Sequence, residues 1–485
     1  LPIAETFADR TFTRAAGAPL VEGNRLHLLE DAAENYPAWL EAIGDARTHV
    51  HFENYILRDD DIGALFADAF LAKAREGVRV RVIYDWMGAL GATSRAFWSR
   101  LRAGGVEVRC YNPPRLSAPF GWLSRDHRKT LEVDGRIAFV SGLCVGRDWV
   151  GDPEKQLAPW RDTGMMLRGP AVAEVQRAFA EVWRTMGEPI PAEELVSPEA
   201  LPGAGDTKVR VVATSPASGG LFRVDKLVAA LARHRVWIAD PYFAGTAVYV
   251  EALCASARDG VDVRLLVPGD SDIPLLKPLS RAGYRPLLQG GVRVFEWNGS
   301  MMHAKTAVAD GLWARVGSTN LNIASWFGNY EMDVIVEDAD FAHSMEQAFL
   351  RDLSNATELT LDAESHPRRS QPAQRRSSAR NRNTGSAGVA AAGTVRIGNA
   401  VSAVCTNRRV LESVEGRLLG AAGAILLTTA LLFAFFPRLV AYPLALLLAW
   451  IAFACFHRSL GLRGRGRGAR ASGGDGVGFR ASREA

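Results

Sequence analysis

One pattern restricts the possible folds of this chain more than any other: a long stretch of it occurs twice. Val50 to Leu57 reads as a strand, Gly63 to Arg75 as an amphipathic helix, and Gly77 breaks that helix before the alternating Val78, Val80 and Val82. The same order returns with Val236 to Phe243, a helix over Ala247 to Arg258, a break at Gly260 and a strand through Val261, Val263 and Leu265. The copies keep an almost constant offset, from Val50 to Val236 at the first strand and from Gly77 to Gly260 at the break. Short β-branched runs alternating with helical patterns define an α/β layer architecture. A unit of this length is far too long for a solenoid repeat. Two α/β lobes are therefore expected, each a mixed β-sheet flanked by helices, the first within residues 1–200 and the second within 208–362. The division falls between Pro191 and Thr207, where Pro, Gly and acidic residues collect and periodicity fades.

The duplication also carries chemistry. The first lobe contains His127-Arg-Lys129-Thr-Leu-Glu-Val-Asp134-Gly135, the second His303-Ala-Lys305-Thr-Ala-Val-Ala-Asp310-Gly311. The internal spacing is identical, and the offset from His127 to His303 is close to the one that relates the strands. Side chains two apart on a strand share a face, so each His projects beside its Lys. If the lobes pack about a pseudo-twofold axis, two imidazoles and two ammoniums surround one anion. The lysines would hold a phosphate, one histidine would attack phosphorus, and the other would serve as acid and then base. Such chemistry requires no metal or other cofactor. Asp134 and Asp310, each before a glycine, suit a turn or an ion pair as well as a place in the reaction. The other histidines form no HExxH and no i, i+4 pair, so no zinc site is expected. His49 and His51 share one strand face and read as structural. The five cysteines, at 110, 144, 254, 405 and 455, lack CxxC spacing and read as apolar thiols.

These residues resemble the phospholipase D superfamily, whose signature is the duplicated HxKx4D motif, and more narrowly the bacterial cardiolipin synthases. The resemblance runs through Glu53-Asn54-Tyr55-Ile56, Trp160-Arg161-Asp162-Thr163, Gly169-Pro170-Ala171-Val172, Pro241-Tyr242-Phe243, Met302-His303-Ala304-Lys305 and Gly317-Ser318-Thr319-Asn320, and it spans most of residues 20–362. It implies a phosphatidyltransferase that joins two phosphatidylglycerol molecules into cardiolipin through a phosphohistidine. His127 is then the nucleophile and His303 the acid/base. It further implies that Asp162 and Glu331 each bond a reacting histidine, and that Ser318 and Asn320 support the phosphate or a lysine. One departure stands out: Cys144 occupies the first-lobe position where the family carries asparagine. A phospholipase D-type hydrolase and a noncatalytic scaffold of the same fold are the alternatives.

Charge divides the chain. From residue 363 onward there are 18 Arg, no Lys and five acidic residues, a net +13; this leaves 39 basic against 48 acidic residues, or −9, for 1–362. An acidic body is a poor general binder of nucleic acid, whose affinity rests on Lys and Arg neutralising phosphates. Residues 363–417 have the composition of a disordered basic linker, and 457–485 form a basic tail. Between them lie two uncharged apolar runs, Leu418 to Phe436 and Leu439 to Phe456, separated by Pro437 and Arg438. Each run approaches the length that spans a bilayer core as a helix. A transmembrane helical hairpin over 418–456 is expected. Arginines flank both ends, which favours the cytoplasmic side and contact with anionic headgroups. The expected location is thus the bacterial inner membrane with the body in the cytoplasm. No signal-peptide pattern follows Leu1, and oligomeric state is not readable.

Overall fold

The computed structural model describes residues 2–114, 123–270, 276–361 and 367–369, together with isolated helical positions between 424 and 453. It comprises two units: Leu1–Pro113 with Ser124–Leu419, and Pro114–Leu123 with Gly420–Ala485. The first unit holds both lobes.

The first lobe contributes strands β1 (Val21–Glu30), β2 (His49–Asn54), β3 (Arg79–Asp85), β4 (Glu107–Tyr111), β5 (Lys129–Val133), β6 (Ile137–Ser141) and β7 (Thr163–Arg168). The second contributes β8 (Thr207–Thr214), β9 (Arg235–Ala239), β10 (Asp262–Pro268), β11 (Arg293–Trp297), β12 (Thr306–Ala309), β13 (Trp313–Gly317) and β14 (Glu331–Glu337), followed by β15 (Ala356–Leu361) and β16 (Pro367–Arg369). Strand order within the first lobe is β1-β7-β6-β5-β2-β3-β4, and the second repeats it as β8-β14-β13-β12-β9-β10-β11. In each, three strands run parallel and the rest pair antiparallel. Antiparallel pairing of β1 with β8 joins the halves into one sixteen-stranded sheet. The expectation of a separate sheet in each lobe is corrected in this respect.

Helix placement follows the periodicity. Asp60 caps the helix Asp61–Arg75 by accepting from the Gly63 N–H at 2.9 Å, and Phe66, Ala67, Phe70 and Leu71 form its buried face. The chain then leaves the helix through Gly77 at φ +86, a left-handed conformation that costs glycine nothing. Thr246 caps the matching helix Ala247–Arg258, which ends before Gly260 at φ +91.

Each lobe has its own apolar core. A third core draws Val140, Met165 and Leu167 from the first lobe together with Val316, Met332 and Val334 from the second. There β6 and β7 lie against β13 and β14. Each such side chain contributes roughly 1.5–3 kcal/mol on full burial, so this shared core holds the two lobes together. The helix Pro2–Ala16 leads into the first lobe in sequence but packs on the helix Gly220–Leu231 of the second.

Pro367–Arg369, inside the segment expected to be disordered, forms a strand against β15. The rest of 363–417, and 457–485, lie outside the described residues. So does the expected hairpin over 418–456, apart from isolated helical positions such as Ala424, Leu427 and Phe453. Among the described residues no helix is long and apolar enough to cross a membrane.

Candidate active site

The two HxK segments lie at matching places, His127 just before β5 and His303 just before β12. Each is tied by its main chain to the opposite lobe. The His127 N–H bonds Tyr330 O at 2.9 Å, and the Tyr330 N–H bonds Arg125 O at 2.8 Å. Reciprocally, the His303 N–H bonds Arg161 O at 2.7 Å, and the Arg161 N–H bonds Met301 O at 2.9 Å. Tyr330 immediately precedes Glu331, and Arg161 immediately precedes Asp162. The exchange therefore delivers one carboxylate to each imidazole from across the lobe boundary.

His127 Nδ1 lies 3.0 Å from Glu331 Oε2, and His303 Nδ1 lies 2.6 Å from Asp162 Oδ2. An ionised carboxylate only accepts, so Nδ1 carries the proton and Nε2 keeps its lone pair for chemistry. The carboxylates are themselves held. Ser318 Oγ donates to Glu331 at 2.6 Å and Asn329 Nδ2 at 3.2 Å. Asp162 accepts from Trp149 Nε1 at 3.1 Å and from the Thr163 N–H at 2.9 Å. Gly142 is the first-lobe counterpart of Ser318, at the same offset that relates His127 to His303, and a Cβ there would collide with the Asp162 carboxylate. Burial alone would raise both acids. Lys305 and His303 overcome it at Asp162 and bring it down to about 2, while His127 and Lys129 hold Glu331 below its usual value.

Both lysines are fully buried. Lys129 Nζ donates to His127 O at 2.5 Å, and Lys305 Nζ donates to His303 O and lies over the edge of that ring, 2.8 Å from Nδ1 and 3.1 Å from Nε2. Desolvation pushes both imidazoles toward neutrality, His303 as far as about 3, and both ammoniums act on both rings in the same direction. Burial, and the nearby Lys129 ammonium, likewise lower Lys305 against the opposing pull of Asp162. The two ammoniums and two neutral imidazoles thus form one electrostatic unit, its charge balanced by the Asp162 and Glu331 carboxylates. Tyr55 stands edge-on to His127 at 4.9 Å between ring centroids; Trp149 and Trp160, each at 5.5 Å, wall His303.

Asp134 and Asp310 stand apart from this group. A five-residue step along a strand carries Asp134 about 16 Å from Lys129. It sits at φ +57 with Gly135 at +67, and Asp310 at +52 with Gly311 at +66. With the Arg136 N–H bonded to Val133 O and the Leu312 N–H to Ala309 O, these are tight hairpin turns of the Asp-Gly kind. Asp134 accepts backbone N–H bonds from Arg47, Thr48 and His49 at 2.8–2.9 Å, and Asp310 from Arg233, His234 and Arg235 at 2.8 Å. Of the two roles left open for them, the geometry fits the turn: they pin each hairpin to the chain entering the neighbouring strand. Burial works against ionisation, but these donors outweigh it and depress both acids. Their stabilisation is therefore complete above the unfolded carboxylate value of about 3.9 and is lost as pH falls through the lower folded value. Asp134→Ala should cost about 2 kcal/mol and about 5 °C in Tm, with kcat of the folded fraction unchanged. Calorimetry and initial rates check both parts.

Among the remaining expected residues, Ser318 supports Glu331 and not a lysine. Asn320 is buried with Oδ1 lacking a hydrogen-bond partner among the described residues. Cys144 fills the equivalent first-lobe position, again at the His127-to-His303 offset; burial raises its thiol pKa, and Lys129 and Lys305 pull it back. Cys254 is buried and Cys110 half-buried. Sequence reasoning missed Trp149 altogether, since a lone tryptophan in the one-turn helix Arg147–Val150 has no pattern. It also missed Arg128, whose guanidinium bonds Glu331 O and Thr214 O of the second lobe and Ala178 O of the first at 2.8–3.1 Å, and so ties the two together.

Two pseudo-symmetric lobes with exchanged His/carboxylate pairs define a phospholipase D-like protein. The family profile described as "Cardiolipin synthase, PLD-like domain" matches residues 39–152 and 228–353, one segment in each lobe. Cardiolipin synthase of Geobacillus kaustophilus (strain HTA426) is 32% identical over 349 residues, covering 71% of this chain and 69% of that protein. Cardiolipin synthase 1 of Bacillus anthracis is 30% identical over 379 residues, covering 75% and 73%. In fold, phosphatidylserine synthase of Haemophilus influenzae Rd KW20 superposes with a TM-score of 0.59 at 14% identity, covering 72% of this chain and 91% of that one. The chain belongs to the cardiolipin synthase family.

Proposed function

We propose that the protein is a phosphatidyltransferase that converts two phosphatidylglycerol molecules into cardiolipin and glycerol. The observation that carries this reading is the crossed pairing of His127 with Glu331 and His303 with Asp162 beside two buried lysines. Lys129 and Lys305 hold the nonbridging oxygens of the phosphodiester. Nε2 of one histidine attacks phosphorus, the bond from phosphorus to the glycerol oxygen breaks, and the second histidine supplies the proton that glycerol takes away. The phosphodiester anion favours that proton by raising the depressed imidazole pKa. The terminal hydroxyl of a second phosphatidylglycerol then gives its proton to the same histidine and attacks phosphorus, and the P–N bond breaks. Following the family resemblance, His127 is the nucleophile.

The uncharged runs over 418–456 and their flanking arginines support a membrane hairpin, with the body on the cytoplasmic side against anionic lipid. Purified full-length protein in phosphatidylglycerol vesicles should yield cardiolipin and glycerol in equal amounts, measured by lipid mass spectrometry and a coupled glycerol assay. Phosphatidic acid as the main product would make the protein a hydrolase of this fold. Absence of both products would favour a noncatalytic scaffold.

A further inference from the structure

The first lobe holds a second cluster of metal-ligand side chains that the transfer reaction leaves unused. His49 and His51 project from one face of β2, and Glu132 on β5 is the direct cross-strand neighbour of His51. His49 Nε2 lies 3.1 Å and His51 Nδ1 2.8 Å from Glu132 Oε2, and all three ligand atoms lie within 4.8 Å of one another. All three side chains are buried. The approach of His51 Nδ1 to Glu132 is short but is not in hydrogen-bonding alignment. His49 Nε2, by contrast, is aligned with both Glu132 oxygens at 3.2 and 3.1 Å, and the three donor atoms converge on one small volume, as ligands around a small cation do.

Two further observations point the same way. Strand pairing equates His51 and Glu132 with Trp237 and Val308 of the second lobe, and His49 with Arg235. The second lobe builds the same sheet without any of the three ligands, so the fold itself does not demand the cluster. In addition, His49 is oriented as a ligating histidine would be. Its Nδ1 lies 3.2 Å from Thr48 Oγ1, whose own proton goes to Asp134 at 2.7 Å, so the Nδ1 edge is held by Thr48 and the Nε2 edge is turned to the cluster. Glu132 Oε1 is fixed by the Gly135 N–H at 2.5 Å, and the Gln176 amide, 3.1 Å from His49 Nε2, borders the remaining side. The competing neighbour is Arg81, whose Nη1 is 3.3 Å from His51 Nε2 but bonds Glu194 at 2.7 Å.

We propose that His49, His51 and Glu132 bind one divalent ion of the zinc type. Two imidazoles and a carboxylate are a known zinc set, with ligand bonds of about 2.0–2.2 Å that need ligand separations of roughly 3.3 Å, a small opening of the present ones. The ion ties β2 to β5 behind Lys129, next to the helix Val172–Arg184 that carries Gln176. Its role is structural.

The test uses full-length protein stripped with chelator and reloaded with Zn2+ or Co2+. Elemental mass spectrometry should find one ion per chain after dialysis, Co2+ should give visible d–d absorption of a low-coordinate site, and Tm should rise on loading. Glu132→Gln should weaken binding by about 100-fold or more and abolish the Tm response. A second variant carries His49→Arg, His51→Trp and Glu132→Val, the residues of the second lobe, and should fold without binding the ion. His127→Ala/His303→Ala should keep it. Substoichiometric metal in the wild type with no Tm response would overturn the proposal. So would an ion retained by Glu132→Gln, or one lost only from the His127→Ala/His303→Ala protein.

Discussion

His127→Ala and His303→Ala should each lower the rate of cardiolipin formation by at least about 1000-fold, because in the proposed mechanism one removes the nucleophile and the other the proton carrier. The two variants should then differ on a phosphatidyl ester with a good leaving group such as p-nitrophenol, which departs without a proton. With His127 as nucleophile, His303→Ala should still release one equivalent of p-nitrophenol in a burst and stall as the phosphohistidine. His127→Ala should release none. The opposite pattern would exchange the two roles, and full activity in both variants would remove the histidines from the mechanism. Fold retention in each is checked by circular dichroism, since both rings are buried against aromatic neighbours.

The crossed carboxylates make the second large prediction. Asp162→Asn and Glu331→Gln preserve shape but offer the imidazole an amide, which permits the wrong tautomer and withdraws the charge that stabilises an imidazolium. Each should reduce kcat by about 100- to 1000-fold with KM little changed. Pairing across the lobes determines which step suffers. Asp162→Asn should behave as His303→Ala does, retaining the burst, although Asp162 lies in the lobe of His127. Glu331→Gln should lose the burst, as His127→Ala does. If the histidine variants behave as expected but Asp162→Asn abolished the burst and Glu331→Gln kept it, the pairs would function within lobes and the observed 2.6 and 3.0 Å contacts would not be the ones used.

Much of this was legible beforehand because it is local. The helices starting at Asp61 and Ala247 and the breaks at Gly77 and Gly260 follow from apolar spacing and from the freedom of glycine at positive φ. The two HxK pairs were legible because duplication supplies its own control: the same spacing at one offset has no local structural cause. Asp134 and Asp310 show where this reasoning stops. They repeat as faithfully as the histidines do, yet their partners are backbone amides of residues 47–49 and 233–235. A repeated residue that pins a turn looks the same in sequence as one that touches substrate. Glu132 was passed over because its association with His49 and His51 arises from pairing between β2 and β5, which lie far apart along the chain.

By itself, then, the sequence determined two α/β lobes, their internal order of elements and the repeated HxK pairs, since strand alternation and helix periodicity are written into neighbouring residues. The tertiary structure alone decided that β1 and β8 join the lobes into one sheet, that the helix Pro2–Ala16 serves the second lobe, and that Glu331 reaches His127 while Asp162 reaches His303. Those outcomes depend on how the apolar faces of β6, β7, β13 and β14 pack. Burial of apolar area is non-directional, so only the assembled core selects which distant residues meet.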